Sequence, residues 1–209
     1  PDEALGRPVE LAAIKGRSID MALSYNGDLA AISSDEKHGQ MHFSLLVYDT
    51  ASGALVGELS DGAACSVQPE LFSPVAGDPR LVATSNVSGM NRPFVWNPRT
   101  GERTPLALDG LDGEVQTVDW SPDGKRLLLV HYSQAIQQRY FYDLESHIRT
   151  RLNHPGGTFS AYGGGVATYF GPGGEVFAQW QDSTHPTRPV ELDAQTGELR
   201  EKLSGERQL

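Results

Sequence analysis

Trp120-Ser121-Pro122-Asp123-Gly124-Lys125-Arg126-Leu127 reads as the end of one strand, a tight turn and the start of another. Pro in the second turn position sets φ near the value a type I turn needs, and Asp and Gly tolerate the positions that follow. Before the turn, Val115 to Trp120 alternates apolar and polar residues as an inner strand does; after it, Leu127 to Tyr132 is a continuous apolar run suited to a strand buried on both faces. Related turns occur at Ser24-Tyr25-Asn26-Gly27, at Ser73-Pro74 with Gly77-Asp78, and at Gly171-Pro172-Gly173-Gly174, with successive starts 49, 48 and 50 residues apart. A second turn alternates with the first: Tyr48-Asp49-Thr50-Ala51-Ser52-Gly53, Trp96-Asn97-Pro98-Arg99-Thr100-Gly101, Tyr142-Asp143-Leu144-Glu145-Ser146-His147 and Leu192-Asp193-Ala194-Gln195-Thr196-Gly197. Two markers that keep one period over four copies point to an all-β chain, a β-propeller or partial propeller of four four-stranded blades.

The expected division is a single propeller domain over 1–209, with blades at about 17–61, 62–110, 114–153 and 158–203. Residues 1–16 do not start a repeat, and Arg7 to Ile14 sits where the last strand of a preceding blade would end. In the second turn, Asp or Asn can accept backbone N–H groups two residues on, and Gly53, Gly101 and Gly197 can take positive φ. His147 stands in that glycine position in the third repeat and predicts a looser turn.

With 38% hydrophobic residues, 23 Gly and 13 Pro, the composition suits short strands and tight turns. No stretch is long and apolar enough for a membrane-spanning helix, so no membrane partner is expected. The formal charge of −10, from 17 basic and 27 acidic side chains, argues against nucleic acid, because no basic cluster offsets the repulsion. Pro1-Asp2-Glu3-Ala4 lacks the basic and apolar regions of a signal peptide, and the expected setting is cytoplasmic. Cys65 has no partner cysteine and reads as a small strand hydrophobe.

The turn around Ser121 and the stretch Arg92-Pro93-Phe94-Val95-Trp96-Asn97-Pro98-Arg99-Thr100-Gly101-Glu102 resemble blades of the prolyl oligopeptidase family of serine peptidases and of TolB-type propellers. Trp180 to Asp193, followed by Thr196-Gly197-Glu198, is similar to the final blade of acylaminoacyl-type and dipeptidyl-type members. The resemblance spans about residues 17 to 203. It implies a non-catalytic propeller that gates the entry of short peptides to a separate α/β-hydrolase domain, with that domain or a peptide as partner. The alternative is a stand-alone TolB-like or WD-repeat-like scaffold that holds a protein partner. Family propellers usually carry seven or eight blades, against four repeats here. The nucleophile elbow Gly-x-Ser-x-Gly does not occur in the chain, so no catalytic residue is assigned and the chain alone is not expected to be an enzyme.

Other constellations are weak. His38 and His42 are the one close histidine pair, and they flank an expected hairpin; Asp109 and Asp112 lack the ligand series of a calcium loop. Gly163-Gly164-Gly165 lacks the lysine and helix of a phosphate loop. No metal and no cofactor is expected. Inner strands carry acidic residues at Asp20 and Asp119, without an evident repeat. Four loop side chains remain as candidate contacts to a substrate or partner: Asn91 and Arg92 before one strand, and His185 and Arg188 around Pro186. Arg offers a planar fork of donors to a peptide carboxylate or carbonyl.

Overall fold

The computed structural model describes residues 10–134, 136–159, 168–193 and 195–201. The first sheet contains β1 (Met21–Leu23), β2 (Leu29–Ser34), β3 (Ser44–Asp49) and β4 (Leu55–Leu59); the second contains β5 (Val67–Phe72), β6 (Leu81–Ser85), β7 (Arg92–Trp96) and β8 (Arg103–Pro105). The third contains β9 (Glu114–Trp120), β10 (Arg126–Ser133), β11 (Ile136–Asp143) and β12 (Arg149–Arg151); the fourth contains β13 (Thr168–Phe170), β14 (Val176–Trp180), β15 (Arg188–Leu192) and β16 (Leu199–Glu201). Each sheet is an antiparallel meander in chain order, and no helix occurs among the described residues. The chain is a propeller of four visible four-stranded blades.

Side chains stand in for missing backbone partners in the first and third copies of the first turn and in all four copies of the second. In the first turn, Ser24 N donates to Leu29 O at 2.9 Å and Ser121 N to Arg126 O at 2.8 Å, while the same serines accept Leu29 N and Arg126 N through Oγ. Gly27, Gly124 and Gly174 close it at φ of 72°, 72° and 84°, the left-handed region that glycine enters without steric cost. In the second turn, Asp49 Oδ1 accepts the backbone N–H of Ser52, Asn97 Oδ1 that of Arg99, Asp143 Oδ1 that of Ser146, and Asp193 Oδ1 that of Thr196. At Asp49 the Ser52 hydroxyl, and then these backbone bonds there and at Asp143 and Asp193, hold the carboxyls below the usual carboxylate range.

The third copy of that turn keeps the strand-end bond of the others but lacks the bond that Gly53, Gly101 and Gly197 N–H make to the Asp or Asn carbonyl four residues back, so it is looser by one bond. Asp143 N donates to Ile148 O at 2.9 Å, the distance at which Asp49 N meets Ala54 O. His147 takes φ of 58° itself. Its ring lies 6.3 Å from that of Tyr142, and the Tyr142 hydroxyl sits 3.3 Å from His147 Nδ1, contacts that hold a non-glycine residue in the left-handed region.

Apolar residues gather between successive sheets. One cluster joins Leu29, Ala31, Leu45 and Val47 of the first sheet to Leu81, Ala83, Phe94 and Trp96 of the second. The next joins Val82 and Val95 to Trp120, Leu127, Leu129 and Tyr142, and the last joins Leu128 and Phe141 to Phe170, Val176, Trp180 and Leu192. Leu127 to Val130 is therefore buried on both faces, which accounts for its unbroken apolar run. Gly57 lets the first two sheets close up, since a Cβ there would stand 2.7 Å from Pro98 O and 3.2 Å from the Trp96 ring.

The first sheet has a further apolar face, turned away from the second. The pairs Ala30–Tyr48 and Ile32–Leu46 occupy the places held by Leu81–Trp96 and Ala83–Phe94 one repeat later. Leu23, just before the first turn, is 66% exposed, whereas Phe72, Trp120 and Phe170 in the same place are 6%, 3% and 6% exposed. Residues 10–14 near the start of the chain form no strand, and residues 1–9 lie outside the described residues.

In each meander the two tight turns lie at one end of the sheet, and the loops between the second and third strands lie at the other. The chain enters each following inner strand at that long-loop end. Phe43 O there accepts Val67 N at 2.8 Å, and Asn91 O accepts Val115 N at 3.2 Å.

Candidate functional site

All four loop residues singled out in the sequence sit at long-loop ends, two on the second sheet and two on the fourth. Asn91 Nδ2 donates to Glu114 Oε1 at 3.3 Å, and Arg92 Nη2 donates to Leu111 O at 2.7 Å, so this pair ties the second sheet to the entry of the third. His185 is held in a turn around Asp182, with Nδ1 2.9 Å from Asp182 Oδ1 and its ring 5.5 Å from Trp180. Arg188 opens β15 with its guanidinium 4.9 Å from the Trp180 ring centroid. Bonds from Thr184 and His185 hold the Asp182 carboxyl down at about 2. The structure thus forms two pairs, each organised within its own neighbourhood.

Beside Arg92 lies a cavity of about 600 Å³, lined by Ser85, Val87, Phe94, Arg103, Leu108 and Leu111 among others. One wall is the connection 106–113, which carries no strand. Tyr142 Oη accepts Ala107 N at 3.0 Å, Arg149 Nη2 donates to Asp109 O at 3.1 Å, and His131 Nε2 meets Asp112 O. Asp109 and Asp112 therefore enter through their carbonyls as points of attachment for the wall. Opposite, Arg103 lies 3.8 Å above the Phe94 ring and makes a two-pronged pair with Asp61 at 2.6 and 2.9 Å, which Ser85 Oγ also joins. Arg103 holds the Asp61 carboxyl below the usual range.

A second feature lies on the inner strands. Glu70 accepts Thr84 Oγ1–H at 2.5 Å within its own sheet and Thr117 N–H at 3.2 Å from the third. Burial pushes its carboxyl up to about 7. Asp119, at a different position of its strand, makes a comparable link one sheet on, accepting Phe170 N–H at 2.7 Å, and burial raises its carboxyl too. Asp20 accepts Gln68 Nε2–H at 3.0 Å. These carboxylates stand four, three and two residues before Ser24, Ser73 and Ser121, so Asp20, Glu70 and Asp119 act from different positions and form no in-register repeat.

His38 Nε2 meets Ser60 Oγ at 2.7 Å, and no cluster of three or more His, Cys, Asp or Glu suited to a metal ion occurs among the described residues. Gly163-Gly164-Gly165 lies outside them.

No protein-family model and no curated protein matches the chain. Solved structures do match in fold. TolB from Acinetobacter baumannii superposes with a TM-score of 0.61 at 18% identity, over 90% of this chain and 44% of its own. The chain has the propeller fold of TolB and of prolyl peptidases. A puromycin-hydrolyzing peptidase from Mycobacterium tuberculosis matches at TM-score 0.64 and 17% identity, over 92% of this chain and 29% of its own. A prolyl endopeptidase matches at TM-score 0.61 and 16% identity, over 86% and 25%. The chain thus spans less than half the length of each of these three proteins.

Proposed function

We propose that this chain is the non-catalytic propeller of a prolyl-oligopeptidase-like serine peptidase and gates the access of short peptides to a separate α/β-hydrolase domain. The observation that carries the reading is the fold likeness to two peptidases over 92% and 86% of the chain. Steric gating asks only for a rigid stack of blades with polar loops at one end, and the inter-sheet cores and long-loop ends supply both. Asn91, Arg92, His185 and Arg188 are the loop side chains assigned to contact peptide or partner.

The test is peptidase turnover of blocked and unblocked short peptides, with labelling by a serine-reactive probe, on this chain and on the longest natural product of its gene. Labelling and turnover in the longer product alone support gating. Inactivity of both, with no longer product detectable, favours the second reading, a TolB-like scaffold for a protein partner. The likeness to TolB over 90% of the chain is the observation behind that alternative.

A further inference from the structure

We propose that the cavity at the long-loop end of the second sheet binds a short uncharged peptide segment, taking one bulky apolar side chain and the main-chain carbonyl beside it. Its volume of about 600 Å³ exceeds what one side chain fills and lies within the range of small-ligand sites. The floor is apolar, formed by Phe94, Leu106, Leu108 and Leu111. Burying a Leu or Phe side chain there contributes binding energy in proportion to the area taken from water.

Preorganisation separates this cavity from a chance gap between loops. The connection 106–113 has no strand of its own, yet side chains from two sheets hold it: Arg92 at Leu111 O, Tyr142 at Ala107 N and Arg149 at Asp109 O. A wall fixed in advance costs little ordering entropy when a ligand arrives.

The charges select the ligand. Asp61 matches Arg103, and Asp109 lies in the same lining as Arg92, so the cavity has donors without a net positive charge. The pair with Asp61 uses two of the five guanidinium donors of Arg103. An acceptor that is polar but uncharged suits such a site, and a chain of net charge −10 further disfavours a carboxylate. A peptide carbonyl next to an apolar side chain has that chemistry.

Fluorescence anisotropy tests the assignment on the natural full-length product, with fluorescein-labelled Gly-Gly-Leu-Gly amide, its Phe and Ala counterparts, and the free-acid form of the Leu peptide. Saturable binding of the Leu or Phe amide, weakened about tenfold or more by Ala, is expected, with the free acid no tighter than the amide. Val87 lines the mouth and is 57% exposed, so Val87→Glu leaves the fold intact and is expected to weaken binding by about tenfold. Leu108→Asn, checked by thermal unfolding, should act in the same direction. Absence of saturable binding, indifference to both substitutions, or a free acid bound more than tenfold tighter would each overturn the assignment. The readout is binding and involves no serine nucleophile, so its failure and the failure of the gating reading are separate results.

Discussion

The Glu70 carboxylate in the second sheet accepts the Thr117 backbone N–H of the third at 3.2 Å, and so an ionisable group bridges two blades. Burial pushes this carboxyl up from 4.5 to about 7. The folded chain therefore holds a proton that the unfolded chain has already released between those values. Stability contributed by this group is highest below about pH 4.5, falls as pH rises, and reaches its full deficit above about pH 7. The deficit is at most about 3 kcal/mol, and partial exposure of the side chain reduces it. Glu70→Gln keeps an acceptor for Thr117 and gives the other side-chain atom a donor for Thr84 Oγ1. Thermal unfolding from pH 5 to 8 should show the variant gaining on the parent as pH rises; parallel curves would remove Glu70 from the pH response.

His154 works in the opposite direction. Its Nε2 accepts the Arg139 backbone N–H at 3.0 Å and its Nδ1 lies 2.9 Å from Pro155 O, which fixes a neutral ring with the proton on Nδ1. Burial lowers its pKa below the ordinary 6.5. The unfolded chain then takes up a proton that the folded chain refuses, so this stability is present above about pH 6.5 and is lost as pH falls. His154→Asn retains an acceptor for Arg139 and should remove the acid sensitivity. Because the Glu70 response has the other sign, the loss is expected to be plainest in a Glu70→Gln background. An unchanged acid limb in the double variant would place the sensitivity elsewhere.

Turn chemistry explains why so much of the fold was legible. Ser121 and Asp143 act within five residues of themselves, and a local bond repeated at a fixed period is written directly in the sequence. The inner-strand carboxylates were less legible: they share no in-register position, and Pro69-Glu70-Leu71 sits at a register shift in the β5–β6 pairing, which disturbs the alternation that would have marked Glu70 as inward. The cavity wall was not legible. Residues 106–113 are held by Arg92, Tyr142 and Arg149, partners 19 to 42 residues away, and no local pattern encodes contacts of that range.

His147 makes the local rule testable in reverse. A left-handed φ costs a side-chain-bearing residue about 1–2 kcal/mol, while the Tyr142 contact returns part of that. His147→Gly removes both strain and contact and should leave stability nearly unchanged. His147→Ala keeps the strain and loses the contact, so it should be less stable than the Gly variant by about 1 kcal/mol. Denaturant midpoints of the two variants decide it, and an Ala variant as stable as Gly would mean that the turn relaxes out of the left-handed region.

Leu23 and Phe72 occupy the same place in successive repeats but opposite environments, 66% and 6% exposed. Phe72 packs in the core between the first two sheets, so Phe72→Ala should cost about 3–5 kcal/mol through lost burial and the cavity left behind. Leu23→Ala in this 209-residue chain should cost less than about 1 kcal/mol, because little surface returns to water. Urea denaturation of the two variants measures the contrast directly. A large cost at Leu23 would mean that the outward face of the first sheet, with Ile32, Leu46 and Tyr48 beside it, is covered in solution by another apolar surface, since the same positions one repeat later are buried by a neighbouring sheet.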